Sequence, residues 1–100
     1  MYKLRYSPEA LRDLEKLFLD VIDVSQDFET ATKYLGDIKK KIGEQKKHPK
    51  TGTRLLIGNA FTGYYFVKYK AYLVFYRVVR NEILVVRILP EKSDYKSKLI

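Results

Sequence analysis

The chain has no cysteine and no tryptophan, and among its 100 residues there are only one histidine, one methionine and three prolines. Without cysteine neither a disulfide framework nor a thiolate metal site can form. His48 alone cannot build a histidine metal site, and the carboxylates concentrate on what reads as the solvent side of a first helix, so no metal and no cofactor is expected. No glycine-rich phosphate loop follows a strand, and no Ser/His/Asp set has a local signature. No segment nears the roughly 18 apolar residues of a membrane span, and the N-terminus has no apolar run of signal-peptide length. These absences predict a soluble cytoplasmic protein that contacts no membrane and folds as a single domain over residues 1–100.

What is abundant is positive charge, tyrosine and β-branched residues. Twenty Lys/Arg against twelve Asp/Glu give a net charge of +8. Residues 1–30 carry four cations and seven carboxylates, whereas residues 31–100 carry sixteen and five. That asymmetry points to an acidic or polyanionic partner met by the later two-thirds, the alternative being a basic surface kept for solubility.

The stretch Tyr64–Leu89 is dense in Tyr, Phe, Val, Ile and Leu and free of Pro and Gly. Reversals at Lys70-Ala71 and Arg80-Asn81, where Asn tolerates positive φ, predict a three-stranded antiparallel meander over about 64–69, 72–79 and 82–89. Strict alternation then sorts the side chains. One face takes Tyr65, Val74, Tyr76, Val85 and Leu89, with Arg87 near its end. The other takes Tyr64, Phe66, Leu73, Phe75 and Ile88, with Lys68, Arg77 and Glu82 among them. Both faces are apolar, so both need covering.

Upstream, Tyr2–Tyr6 alternates like a short strand. Ser7-Pro8-Glu9 starts a helix, with Ser as cap, Pro in the first turn and Glu on the dipole. Leu11, Leu14, Leu17, Phe18, Val21 and Ile22 form its buried stripe, ending near Val24. Asp27 caps a second helix with a stripe of Phe28, Ala31, Leu35, Ile38 and Ile42, running to about Lys47. The fold class is therefore α+β: an N-terminal strand and an antiparallel helical hairpin packed on a C-terminal antiparallel meander. His48–Thr53 is a loop, Arg54–Ile57 an edge strand or extended connector, and Gly58, Asn59 and Gly63 keep the link to the meander irregular. Pro90 stops the last strand, and Glu91–Ile100 is a polar tail with a helical turn.

The residues left over for chemistry are cations and tyrosines: Arg54, Lys68, Arg77, Arg87, Lys92 and Tyr95. Such groups hold phosphates and stack bases, and cations stabilise the developing charge of RNA cleavage without metal. That reaction also needs proton transfer groups, for which Glu82, Glu91, Tyr64 and Tyr95 are the candidates. A structural alternative pairs Arg77 with Glu82 across the strands.

The order of several local strings resembles the RelE/ParE superfamily of type II toxins over nearly the whole length. They are Tyr6-Ser7-Pro8-Glu9-Ala10 with Asp13-Leu14-Glu15, then Ala31-Thr32-Lys33-Tyr34-Leu35, and His48-Pro49 with Gly52. Val74-Phe75-Tyr76-Arg77-Val78, Val85-Val86-Arg87-Ile88-Leu89 and Asp94-Tyr95 follow. The two long helices and the last two strands look most like the ParE branch, whose members poison DNA gyrase. The ribonuclease branch carries an arginine early in the middle meander strand, where this chain has Leu73. That branch also has a basic or histidine-containing cluster before its tyrosine, where this chain has Pro90-Glu91-Lys92-Ser93-Asp94-Tyr95. The ParE branch often has histidine and paired arginines at that same stretch.

The resemblance implies a toxin in a hetero-oligomer with a cognate antitoxin, whose acidic or amphipathic segment folds on Tyr64, Phe66, Lys68, Leu73, Phe75 and Arg77. It implies gyrase as target, with Arg54, Arg87, Lys92 and Tyr95 as contacts. The alternatives are a ribosome-dependent, metal-independent mRNA endoribonuclease using Lys68, Arg77, Lys92 and Tyr95, and a degenerate member that only binds antitoxin.

Overall fold

A computed structural model describes residues 1–99. The elements run β1 (Lys3–Tyr6), α1 (Pro8–Ser25), α2 (Phe28–Glu44), β2 (Thr53–Ile57), β3 (Ala60–Tyr69), β4 (Tyr72–Val79), β5 (Glu82–Pro90) and α3 (Tyr95–Leu99). The meander is the middle of one five-stranded sheet ordered β1-β5-β4-β3-β2. β1 lies parallel to β5, and the other pairs are antiparallel. Arg54–Ile57, open between strand and connector in the sequence, is part of the edge strand β2.

Local chemistry places the boundaries. The Ser7 hydroxyl accepts the Ala10 N–H at 3.0 Å and donates to the Val86 carbonyl at 2.8 Å, so one residue caps α1 and fastens it to β5. Asp27 accepts the Glu29 N–H and the Thr30 hydroxyl. Gln26, between the helices, takes the left-handed conformation. In the meander turns it is Lys70 and Arg80, the first loop residues, that take positive φ, and Asn81 does not. α2 stops at Glu44 rather than Lys47, because Gln45–Lys47 form a turn leading to the short 3-10 helix Pro49–Thr51. Gly58 and Asn59 make a tight β2–β3 turn, and Gly63 sits inside β3 at a φ of 90°.

Leu14 and Leu17 of α1 and Ala31, Ile38 and Ile42 of α2 are buried. The main core combines Leu14, Leu17, Ile38 and Ile42 with Tyr65, Val74, Tyr76, Ile83, Val85 and Ile88 of the sheet. The stripes overreach at their ends: Leu11 is 55% and Phe28 66% exposed, with Phe28 packing edge-on against Phe18 at 5.6 Å.

Between β4 and β5 strict alternation fails. Phe75 opposes Arg87 while Tyr76 opposes Val85, so Val86 is an extra residue in β5. The slip reverses the expected faces of the last two apolar residues: Ile88 joins the helix-side core and Leu89 the opposite one. That opposite core is Leu55, Leu73, Phe75 and Leu89, covered by Tyr95 and Leu99 of α3. The predicted helical turn in the tail is α3; Ile100 lies outside the described residues.

Candidate functional site

Arg87, next to the bulge, reaches Asp13 of α1. Its Nε donates to Asp13 at 2.8 Å, its Nη2 donates to the other carboxylate oxygen at 3.1 Å, and the Ile88 N–H donates to Asp13 at 2.9 Å. The bidentate pair fixes the guanidinium plane, and Asp13 pushes the Arg87 pKa still higher. Expected as a target contact, Arg87 is instead committed to holding α1 on the sheet. Asp13 is correspondingly not on the solvent side of the first helix. It falls within the Ala10, Leu14, Leu17 stripe, and a carboxylate inside an apolar stripe was the signal for a buried partner.

The face assigned to the antitoxin is not open. Leu73 is 3% and Phe75 0% exposed, since the Tyr95 ring lies 5.2 Å from that of Phe75 and Leu99 packs beside it. What remains accessible is its rim. Tyr64 and Phe66 are half-buried, and Arg77 is exposed with its guanidinium 5.7 Å over the Tyr64 ring. Arg77 does not pair with Glu82, which bridges Arg5 at 3.3 Å. Lys68, also exposed, bridges Glu91 at 3.0 Å.

The four residues of the ribonuclease alternative do not form a cluster along the sheet. Arg77 opposes Tyr64, and Lys68 opposes Leu73. The two cations are thus offset by four residues, about 13 Å along the strands. Tyr95 sits over the middle, on Phe75, and Lys92 is exposed in the segment before α3.

Arg54 stands elsewhere, on β2 opposite Tyr65, with its guanidinium 4.2 Å over the Phe61 ring. Beneath it Tyr65 stacks on Tyr76 at 5.5 Å. The Tyr76 hydroxyl donates to the Pro49 carbonyl at 2.5 Å and accepts from Gln45 at 3.1 Å. Burial pushes its pKa up. Gly52 is required here: any Cβ would collide with that hydroxyl. Sequence reasoning also missed an apolar groove on the outer side of the hairpin, lined by Leu11, Phe18 and Leu35. Among the described residues no group of three or more potential metal ligands occurs, and no helix is long and apolar enough to cross a membrane.

Residues 4–95 match the family model of the ParE toxin of the type II toxin–antitoxin system parDE. The chain belongs to the ParE toxin family. Its fold recurs in the chromosomal ParDE toxin–antitoxin system from P. aeruginosa (TM-score 0.76, 21% identity, covering 90% of this chain and 96% of that one). The isolated E. coli RelE toxin is similar over 99% of this chain and 95% of its own, at TM-score 0.64 and 21% identity. The intact E. coli RelBE toxin–antitoxin complex matches at TM-score 0.63 and 21% identity, over 93% of this chain and 100% of that one. At such identities these likenesses concern the fold. No curated protein sequence matches the chain.

Proposed function

We propose that this ParE-family toxin arrests growth by docking on DNA gyrase, and that a cognate antitoxin neutralises it in a hetero-oligomer. The observation that carries this reading is the dispersal of the ribonuclease residues. Lys68 is engaged by Glu91, Arg77 stands about 13 Å further along the sheet, and Tyr95 is spread over Phe75. Metal-free RNA cleavage needs a proton acceptor, a donor and a cation around one phosphate. Glu82 and Glu91 are both tied up in ion pairs. A docking toxin needs no such convergence.

For the target, Arg54 and Lys92 are exposed, without a carboxylate partner among the described residues. For the antitoxin, the accessible part of the assigned face is Tyr64, Phe66, Lys68 and Arg77. An amphipathic acidic segment matches that mixture of half-buried rings and cations. The P. aeruginosa and E. coli matches include toxin–antitoxin assemblies, which supports the same kind of partner.

The decisive experiment adds purified protein to two reactions: supercoiling by gyrase, and translation of a defined mRNA on ribosomes. Loss of supercoiling with intact mRNA is the expected result. Cleaved mRNA with gyrase unaffected would make the chain a ribonuclease. Activity in neither, with retained antitoxin binding, would make it a binding member of the family. Phe66→Ala and Arg77→Glu should each weaken antitoxin binding at least tenfold by calorimetry.

A further inference from the structure

The ion pairs of this molecule are unevenly placed. Six salt bridges engage Arg5, Arg12, Lys16, Lys33, Lys68 and Arg87. Among the described residues none involves residues 39–54, which hold seven lysines and arginines against the single carboxylate of Glu44. This run comprises the last part of α2, the turn after it, the short 3-10 helix and the start of β2. Lys47, Lys50 and Arg54 are all exposed. Other cations unpaired among the described residues, such as Lys3, Lys70, Arg80 and Lys98, are spread more thinly along the chain, whereas here seven fall within sixteen residues.

The backbone carrying them is also held firmly. Tyr76, 1% exposed, receives Gln45 and donates to Pro49. Gln45 also reaches the Thr51 hydroxyl at 3.3 Å, and Thr51 donates to the His48 carbonyl at 2.6 Å. The Tyr2 N–H donates to the Lys46 carbonyl at 3.2 Å. A positive loop anchored to a buried tyrosine loses little chain entropy when it meets a ligand.

We infer that this patch binds the phosphate backbone of duplex DNA without reading its sequence. Three features select that ligand. Protein partners are anchored by apolar and aromatic groups, whereas the apolar residues within the patch, Ile42 and Pro49, are buried and the neighbouring Phe61 ring is capped by Arg54. Single strands need several free rings on which to stack successive bases, whereas Tyr65 and Tyr76 are buried against each other and the patch itself exposes only the His48 ring. Duplex RNA is read through polar contacts to its 2′-hydroxyls, yet Gln45 and Thr51 spend their side chains inside the loop. What is left is a cluster of point charges matched to regularly spaced phosphates. DNA affinity is a property of the purified chain and goes beyond the gyrase reading.

The test is fluorescence anisotropy with a labelled DNA duplex of random sequence, a duplex RNA and a single strand of equal length, over a salt series. If four or five phosphates are neutralised, affinity for duplex DNA should fall roughly 150- to 500-fold between about 50 and 200 mM salt. The variant Lys47→Gln/Lys50→Gln/Arg54→Gln should bind at least about tenfold more weakly at low salt, with a log–log salt slope reduced by about 2.7. Lys3→Gln/Lys96→Gln/Lys98→Gln removes the same charge elsewhere and should change affinity less than about twofold. Unchanged circular dichroism in both establishes that each is folded. Equal losses in the two variants, tighter binding of RNA or of the single strand, or no duplex DNA binding at low salt would each overturn the assignment.

Discussion

On one side of the sheet, helices of 18 and 17 residues lie over Val74, Tyr76, Val85 and Ile88. On the other, Leu73, Phe75 and Leu89 are covered by Leu55 and by a terminal helix of five residues. Both sides exclude water equally well, since Ile38 and Phe75 are each 0% exposed. They differ in how the cover is attached. The hairpin is fixed by two caps, the Ser7–Val86 bond and the Asp13–Arg87 pair. α3 rests mainly on two side chains, Tyr95 and Leu99. Burial alone therefore says little about how easily a surface can be uncovered, because local opening depends on the number and kind of contacts holding the lid.

Deleting buried volume on each side should measure that difference most directly. Ile38→Ala, under the rigid hairpin, should cost about 4 kcal/mol, whereas Leu73→Ala, beneath a cover able to collapse, should cost about 2 kcal/mol in denaturant unfolding. Equal losses would mean that the two covers are equally stiff. Next in size is Asp13→Ala, which leaves Arg87 and the Ile88 N–H without their acceptor at a recessed site. About 2 kcal/mol should be lost, and the same change made in Arg87→Ala protein should cost markedly less. Tyr95→Ala removes one ring contact from the thin side and should cost about 1 kcal/mol, with a clear rise in binding of a hydrophobic dye.

The smallest effect is on pH. Burial raises the pKa of Tyr6, Tyr34, Tyr72 and Tyr76 above the ordinary 10.0. Above that value the unfolded chain loses phenolic protons that the folded chain keeps, so stability is full below about pH 10 and declines as pH rises beyond it. Tyr76 belongs to the helix side, and Tyr76→Phe should flatten the alkaline decline in melting temperature. An unchanged slope would show that this tyrosine is not part of it.

Much of this was legible in the chain. Ser7-Pro8 and Asp27 marked both helix starts because capping is local chemistry, and the meander followed from β-rich composition with two reversals. The edge strand at Arg54 was undecidable because an edge needs only one partner. The exchange of Ile88 and Leu89 was hidden because a one-residue bulge leaves no mark in composition while reversing every side chain beyond it. The candidate site was less readable for a related reason. Leu73 and Phe75 were correctly placed opposite the helices, but their cover comes from Tyr95 and Leu99, in a tail that reads as polar. The partner of Arg87 is hidden in the sequence because Asp13 reads with the solvent-facing acids of the first helix.

The parallel pairing of β1 with β5 sets an order of events. The Ser7 hydroxyl bonds a carbonyl 79 residues further on, and β1 has no other strand beside it. During synthesis both long helices are present well before the strand that receives the N-terminus exists. Contacts of such separation close late. The fold therefore matures only once β5 has been made, and a chain cut short before β5 leaves β1 without the strand it pairs with.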